Sequence, residues 1–263
     1  MDSQPLALIV RSPGTNCDLE TSIAFQMAGA ETECIHINSL VENPEQVDRF
    51  QIVCFPGGFS YGDDLSAGQI LAFEVANRLF DRLRRFPQEG KLILGICNGF
   101  QVLMKTGLLV SPDDRGFPAS LTWNTNGRYT DRWVHLVPGE SRCVFLQGVK
   151  SLYLPIAHGE GRFVVRDEAT LDSIVNGGQV ALQYADDSEN PNGSIANIAG
   201  LSDPTGHVFG LMPHPERHIQ ATQHPHWTRE GLSEHPDGRL IFENAVRYFQ
   251  NSTFPATSAV SVK

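Results

Sequence analysis

The chain has 263 residues, 41 % of them apolar, which is enough for one large α/β domain with a full core. A net charge of −10 without any run of Lys or Arg argues against a nucleic-acid or anionic-membrane surface. The five cysteines, at 17, 34, 54, 97 and 143, are odd in number and not closely paired, so reduced thiols are expected rather than a disulfide framework. The opening MDSQPLALIV has no basic n-region and only a short apolar run, no segment approaches a membrane span, and the cytoplasm is the expected compartment.

Leu6 to Val10 reads as the first strand. It runs into a Pro-Gly turn whose Asn16 or Asp18 is placed to cap a helix over Thr21 to Gly29. Cys34 to Ile37 reads as a second strand, Leu40 to Phe50 as a short helix and Gln51 to Phe55 as a third strand. Ala67 to Phe86 has the pattern of one long amphipathic helix, and its Arg82, Arg84 and Arg85 read as a solvated face. Leu92 to Ile96 is a fourth strand. This alternation with short loops predicts a mostly parallel sheet with helices on both faces, whose site lies beyond the strand C-terminal ends. From Leu109 onward the helical alternation stops. Trp133 to Val137, Leu152 to Ile156, Arg162 to Val165 and Val180 to Tyr184 read as β segments, so an antiparallel β extension is expected within one domain spanning 1–250. Val208 to Met212 is a further strand, His218 to Arg239 a polar excursion, Leu240 to Phe249 a closing helix, and 251–263 a Ser/Thr/Ala-rich tail expected to be disordered.

Three stretches carry chemistry. In KLILGICNGFQVLMKTG (91–107), Cys97 stands at a strand-to-helix turn with Gly95 and Gly99 on either side. The glycines permit a tight bend, and the helix N-terminus favours thiolate, the reactive form. In MPHPE (212–216), His214 and Glu216 are two apart between prolines that favour an extended chain, so both side chains can reach one side of the site. An imidazole beside a thiol, backed by a carboxylate, is a base-and-acid pair for acyl transfer. In PGGF (56–59), N–H groups of Gly57 or Gly58, with that of Asn98, can make an oxyanion hole. Cys17 is a rival thiol but lacks the flanking glycines. His214, His218, His224 and His226 match no compact zinc spacing, so no metal is expected. His158, Glu160 and Arg162 read as alternating on one side of an extended segment, lining either a passage from the site, a partner contact or plain surface.

In this order the three stretches resemble the class I (triad) glutamine amidotransferases. Within that class PGTNCD (13–18), FPGGFSYGDDLSAG (55–68), GICNGFQ (95–101), PIAHGEGRF (155–163), the NPNGS turn and GLMPHPERH (210–218) are similar to the family of glutaminase subunits of phosphoribosylformylglycinamidine synthase. The resemblance implies a flavodoxin-like fold, L-glutamine as substrate, Cys97 as nucleophile, His214 as acid and base oriented by Glu216, and Gln101 as a substrate-fixing residue. It implies a separate synthetase subunit that receives ammonia and uses ATP and Mg, a possible small third subunit, and no cofactor in this chain, which has no P-loop. The alternatives are the glutaminase component of another amidotransferase, a cysteine hydrolase of the same fold, or an inactive scaffold. Asn98 stands where such hydrolases commonly carry histidine, and no triad residue is missing.

Overall fold

A computed structural model of the protein describes residues 4–250; the tail expected to be disordered, 251–263, lies outside them. The chain begins with β1 (Leu6–Arg11), α1 (Asp18–Ala28), β2 (Glu31–His36), α2 (Ile37–Glu42), β3 (Ile52–Phe55), α3 (Gln69–Arg78), α4 (Phe80–Leu83), β4 (Leu92–Ile96) and α5 (Asn98–Thr106). There follow β5 (Ala119–Thr122), β6 (Thr130–Pro138), β7 (Leu152–His158), β8 (Arg162–Val165), α6 (Glu168–Asn176), β9 (Val180–Tyr184), β10 (Ile198–Ser202), β11 (Val208–Leu211), α7 (Trp227–Glu230) and α8 (Asp237–Gln250).

Nine strands form one sheet in the order β2-β1-β3-β4-β11-β10-β9-β6-β7, and β5 pairs with β8 apart from it. β2, β1, β3, β4 and β11 are parallel, which is the flavodoxin-like 2-1-3-4-5 order with β11 in the fifth place. β10, β9, β6 and β7 continue the sheet antiparallel, as the β extension expected from the sequence. The parallel strands β3, β4 and β11 are buried along their whole length, as strands covered on both faces must be. Helix α1 packs on α8, where the Phe25 and Phe242 rings meet edge to face at 4.9 Å, while α3 packs on α5. The loops after β1, β3, β4 and β11 all leave the C-terminal ends of parallel strands and converge there.

Several elements differ from the sequence reading. The single helix over 67–86 is two: Gly68, at φ 73, stops α3 from starting earlier, and Leu79, at φ −118, separates α3 from α4. Helix α1 begins at Asp18 and receives no side-chain cap, because Asn16 Oδ1 instead accepts from the Cys17 thiol at 3.2 Å. Helical structure does not end at 109: α6 intervenes, capped by Asp167 accepting from the Thr170 N–H. The polar excursion after His218 holds a 3-10 turn (Ala221–Gln223) and α7. It is fastened by the His224 ring, which lies 5.5 Å from Tyr153, 5.6 Å from His218 and 6.0 Å from Trp133. No helix among the described residues is long and apolar enough to cross a membrane.

Candidate active site

Cys97 joins β4 to α5 at φ 51 and ψ −103, a left-handed backbone that a non-glycine residue adopts only under constraint. Its N–H donates to Leu211 O at 2.8 Å, tying the bend to the end of β11. The glycines on either side are there for close approach. A Cβ on Gly95 would lie 2.6 Å from Gly99 O, and one on Gly99 would lie 1.8 Å from Phe55 O at the end of β3. Gly99 has an ordinary helical backbone, where alanine's helix propensity alone would favour Gly99→Ala by roughly 1 kcal/mol. The overlap with backbone reverses that sign. Gly99→Ala is expected to destabilise the fold by roughly 3 kcal/mol, the upper end of usual overpacking costs, as a lowered denaturation midpoint in urea.

The turn after β3 faces this elbow. Gly57 O accepts from the Cys17 N–H at 3.2 Å, and the Phe59 N–H donates to Gly14 O at 2.9 Å, so the loops after β1 and β3 are laced together. A Cβ on Gly57 would sit 2.7 Å from His214 Cε1, so only glycine lets the imidazole lie against this turn. Gly58 adopts φ 147. The N–H groups of Gly57, Gly58 and Asn98 donate to no acceptor among the described residues, leaving them available for an oxyanion.

His214 and Glu216 are 2 % and 0 % exposed, and His214 Nδ1 and Glu216 Oε1 are 2.6 Å apart. The extended run expected across the two prolines is not formed. Pro215 opens a 3-10 turn (Pro215–Arg217), which suits proline at its first position, and the turn rather than extension brings the carboxylate under the ring. The His214 N–H donates to Pro155 O of β7 at 2.8 Å and fixes the segment to the sheet. Burial works against the charged imidazole, but the Glu216 carboxylate, with Cys97 and Cys17 acting in the same direction, outweighs it and holds the His214 pKa well above its ordinary 6.5. His214 Nε2 is buried and bonds to nothing, while the Cys97 thiol points at Ala157 O, 3.8 Å away.

Asn98 and Gln101 are both engaged. Asn98 Oδ1 accepts from the Ser60 N–H at 3.2 Å, and its Nδ2 donates to Asp63 Oδ1 and Gln101 Oε1, each at 3.0 Å. Gln101 Nε2 donates to Glu160 O at 2.6 Å. The Gln101 amide, for which the resemblance implies a substrate-fixing role, has a protein partner at each end and holds the 158–161 bend against the elbow.

That bend corrects a further expectation. His158 ends β7 and Arg162 starts β8 in another sheet, so the two do not share one extended face. His158 is buried, with Nδ1 at 3.1 Å from Asn124 Oδ1, and a Cβ on Gly161 would lie 2.3 Å from its ring. Asn124 spends its amide within the protein: Oδ1 also accepts from the Gly161 N–H, and Nδ2 donates to His158 O and Arg128 O. Asn192 and Ser194 continue the network, with Asn192 Nδ2 donating to Gly161 O and Ser194 Oγ accepting from the Phe163 N–H. The long-range brackets are not legible locally, because Asn124–His158, Ser194–Phe163 and Asn192–Gly161 each join residues 31 or more positions apart.

Burial, with the His214 charge beside it, pushes the His158 pKa down to about 3 from its ordinary 6.5. The folded protein leaves His158 neutral where the unfolded chain protonates it, so the unfolded state binds more protons between those two values. The stability this burial allows is full above about pH 6.5 and drains as pH falls towards 3. His158→Gln is expected to lower stability at pH 7, where the Asn124 contact weakens, yet flatten the decline between pH 6.5 and pH 4.5. Urea midpoints at both pH values check this; an unchanged acid slope would assign that slope to other groups.

Residues 4–249 match the family model described as a CobB/CobQ-like glutamine amidotransferase domain. The chain is 48 % identical over 255 residues to the phosphoribosylformylglycinamidine synthase subunit PurQ of Dehalococcoides mccartyi, covering 94 % of this chain and 98 % of that one. It is 44 % identical over 266 residues to the PurQ of Methanococcus maripaludis, covering 93 % and 97 %. Its fold superposes on a chain of the PurLQS structure from Thermotoga maritima with a TM-score of 0.73 at 32 % identity, covering 94 % and 99 %. Matches of this extent leave no part of the described architecture unaccounted for, and the chain belongs to the CobB/CobQ-like glutamine amidotransferases, in the family of phosphoribosylformylglycinamidine synthase subunit PurQ.

Proposed function

We propose that this chain is the glutaminase subunit of phosphoribosylformylglycinamidine synthase. It hydrolyses L-glutamine to glutamate and ammonia and delivers the ammonia to a synthetase subunit, which converts formylglycinamide ribonucleotide to formylglycinamidine ribonucleotide with ATP. The observation that carries the reading is the Cys97 elbow, at φ 51, facing a buried His214–Glu216 pair joined at 2.6 Å.

In this mechanism the Cys97 thiolate attacks the carboxamide carbon of glutamine. The oxyanion that forms takes hydrogen bonds from the Asn98 N–H and from Gly57 or Gly58. Imidazolium His214 gives its proton to the departing nitrogen, the C–N bond breaks, and ammonia leaves a γ-glutamyl thioester on Cys97. Neutral His214 then takes a proton from water, whose oxygen attacks the thioester and releases glutamate and the thiolate. Glu216 keeps the imidazole in the tautomer with Nδ1–H and supports its charged form. Gln101 and Asn98 act by holding the elbow and the 158–161 bend together. No cofactor is assigned to this chain; ATP and Mg²⁺ belong to the synthetase, and the compartment is the cytoplasm.

The test is mass spectrometry of the synthetase complex after incubation with 6-diazo-5-oxo-L-norleucine, a glutamine analogue that alkylates the nucleophile. A single adduct on Cys97, suppressed by glutamine, is the expected result. An adduct on Cys17 alone, or none in the assembled complex, would overturn the assignment.

A further inference from the structure

Cys17 is a buried thiol for which the proposed mechanism has no use, and the fold sets it on the far side of the triad imidazole from any role in acyl transfer. Its Sγ lies 4.0 Å from His214 Nδ1, donates to Asn16 Oδ1 at 3.2 Å and accepts from Arg217 Nη2 at 3.2 Å. Glu216 Oε1 is 2.6 Å from the same Nδ1, and the second carboxylate oxygen, Oε2, is buried without a partner. Among the described residues, Cys17, His214 and Glu216 are the one set of three such side chains whose donor atoms fall within 4.8 Å of one another.

We propose that Cys17, His214 and Glu216 form a binding site for a borderline-soft divalent cation, Zn²⁺ foremost, and that its occupation switches the glutaminase off. The donor set is one thiolate sulfur, one imidazole nitrogen and one carboxylate oxygen, the mixture that zinc takes and that hard cations such as Mg²⁺ do not. Zinc bonds of about 2.0–2.3 Å in a tetrahedral arrangement ask for donor separations of roughly 3.4–3.6 Å. The sulfur must close on Nδ1 by roughly 0.4 Å and the carboxylate must open by somewhat under 1 Å, shifts within reach of side-chain rotation. Two further contacts suit an ion. The Glu216 carboxylate, buried with Oε2 unpartnered, gains a counter-charge in a place where an incompletely satisfied charge is costly. The Arg217 N–H on the sulfur serves, with the ion bound, as an outer-shell donor to it. A fourth position is left for water.

Binding replaces the thiol proton of Cys17 and the Nδ1 proton of the His214 imidazolium, both of which leave to solvent, and no electron is transferred. The ion takes the Nδ1 lone pair, so a neutral imidazole keeps its proton on Nε2. That nitrogen can then accept nothing from Cys97 or from water, and the Nδ1–H to Glu216 hydrogen bond is gone. The inhibition rests on His214 being the base of the proposed function; the binding rests on the donor geometry alone.

Cobalt(II) separates the two. Titrated into the full chain, Co²⁺ is expected to give a near-ultraviolet thiolate-to-cobalt charge-transfer band that Zn²⁺ abolishes, that persists in Cys97→Ala and Cys34→Ser, and that is lost in Cys17→Ala. In the synthetase complex, Zn²⁺ is expected to inhibit glutamine hydrolysis, and Cys17→Ala to require at least about tenfold more Zn²⁺ for half-inhibition while hydrolysing glutamine without metal. Cys17→Ser serves in both arms if the alanine variant does not fold, because its hydroxyl is nearly isosteric and gives no thiolate band. A band that survives loss of Cys17, or equal zinc sensitivity in the variant, would overturn the site. A metal-free wild-type complex without glutaminase activity would instead overturn the functional reading, with the cobalt titration still deciding the site.

Discussion

Cys97→Ala is expected to abolish glutamine-dependent synthesis in the complex, by about 10⁴-fold or more, while synthesis from ammonium continues at the wild-type rate. The substitution deletes one sulfur and little else. The thiol is 5 % exposed, its contact is the long one to Ala157 O, and alanine bears the left-handed backbone at this position about as well as cysteine does. The elbow itself is held by the Cys97 N–H on Leu211 O and by the Gly99–Phe55 approach, neither of which needs the side chain. Loss of activity with folding intact therefore isolates nucleophilic chemistry. Ammonium bypasses that chemistry because the synthetase needs only the nitrogen. Initial rates with glutamine and with ammonium, on the same preparation, check both halves. Retained glutamine use would force a second nucleophile. Cys17 is the nearest rival thiol, yet it faces His214 Nδ1, the nitrogen whose proton is already committed to Glu216, so it has no base to activate it.

What the sequence discloses of this site follows from how local each constraint is. The elbow is legible because its glycines, its cysteine and its two flanking elements are contiguous; β4 and α5 fall where the 91–107 pattern puts them. The His214–Glu216 pair is legible as a pair two residues apart, but not in its geometry: the prolines suggest extension, and the tertiary contact from the His214 N–H to Pro155 O turns the chain into a 3-10 turn instead. In the parallel half β1, β3, β4 and β11 are legible from their apolar runs, whereas the edge strand β2, Glu31–His36 with no buried residue, is found only in its Cys34–His36 end. In the antiparallel half, β10 (IAGLS) escapes because two small residues dilute its run, although α6 does carry a readable signal in its Asp167 cap. The brackets Asn98–Asp63, Gln101–Glu160, Asn124–His158 and Asn192–Gly161 escape altogether. A side-chain amide looks the same in sequence whether it meets a substrate or a distant carbonyl, and only the fold decides which. Cys17 is the sharpest case: 197 positions separate it from the imidazole it faces.

Glu216→Gln is expected to lower the turnover number for glutamine by about 10²–10⁴-fold with little change in KM, because Glu216 touches the imidazole and not the substrate. Two effects combine. An amide can present its NH₂ to Nδ1 and favour the wrong tautomer, with the proton on Nε2. When it presents its oxygen instead, the charge that supports the imidazolium is still lost. Burial acts on His214 in the opposite direction to Glu216, so removing the carboxylate lets burial pull the His214 pKa down. The limb of the pH–rate profile belonging to His214 is then expected to move to lower pH. The stability cost has its own pH signature. Glu216 is 0 % exposed and is one partner of a buried pair, so its neutral isostere takes the counter-charge from the His214 imidazolium, and the unfolding midpoint should fall at neutral pH. A raised His214 pKa contributes stability that is full below its ordinary 6.5 and is lost as pH rises through the raised value; the variant forfeits it, so the gap to wild type should be widest in acid and close as pH rises past that value. A residue that merely filled space would show a gap independent of pH. A pH-dependent gap alongside a large loss of turnover would place Glu216 in the machinery of His214, and a variant with wild-type turnover would remove it.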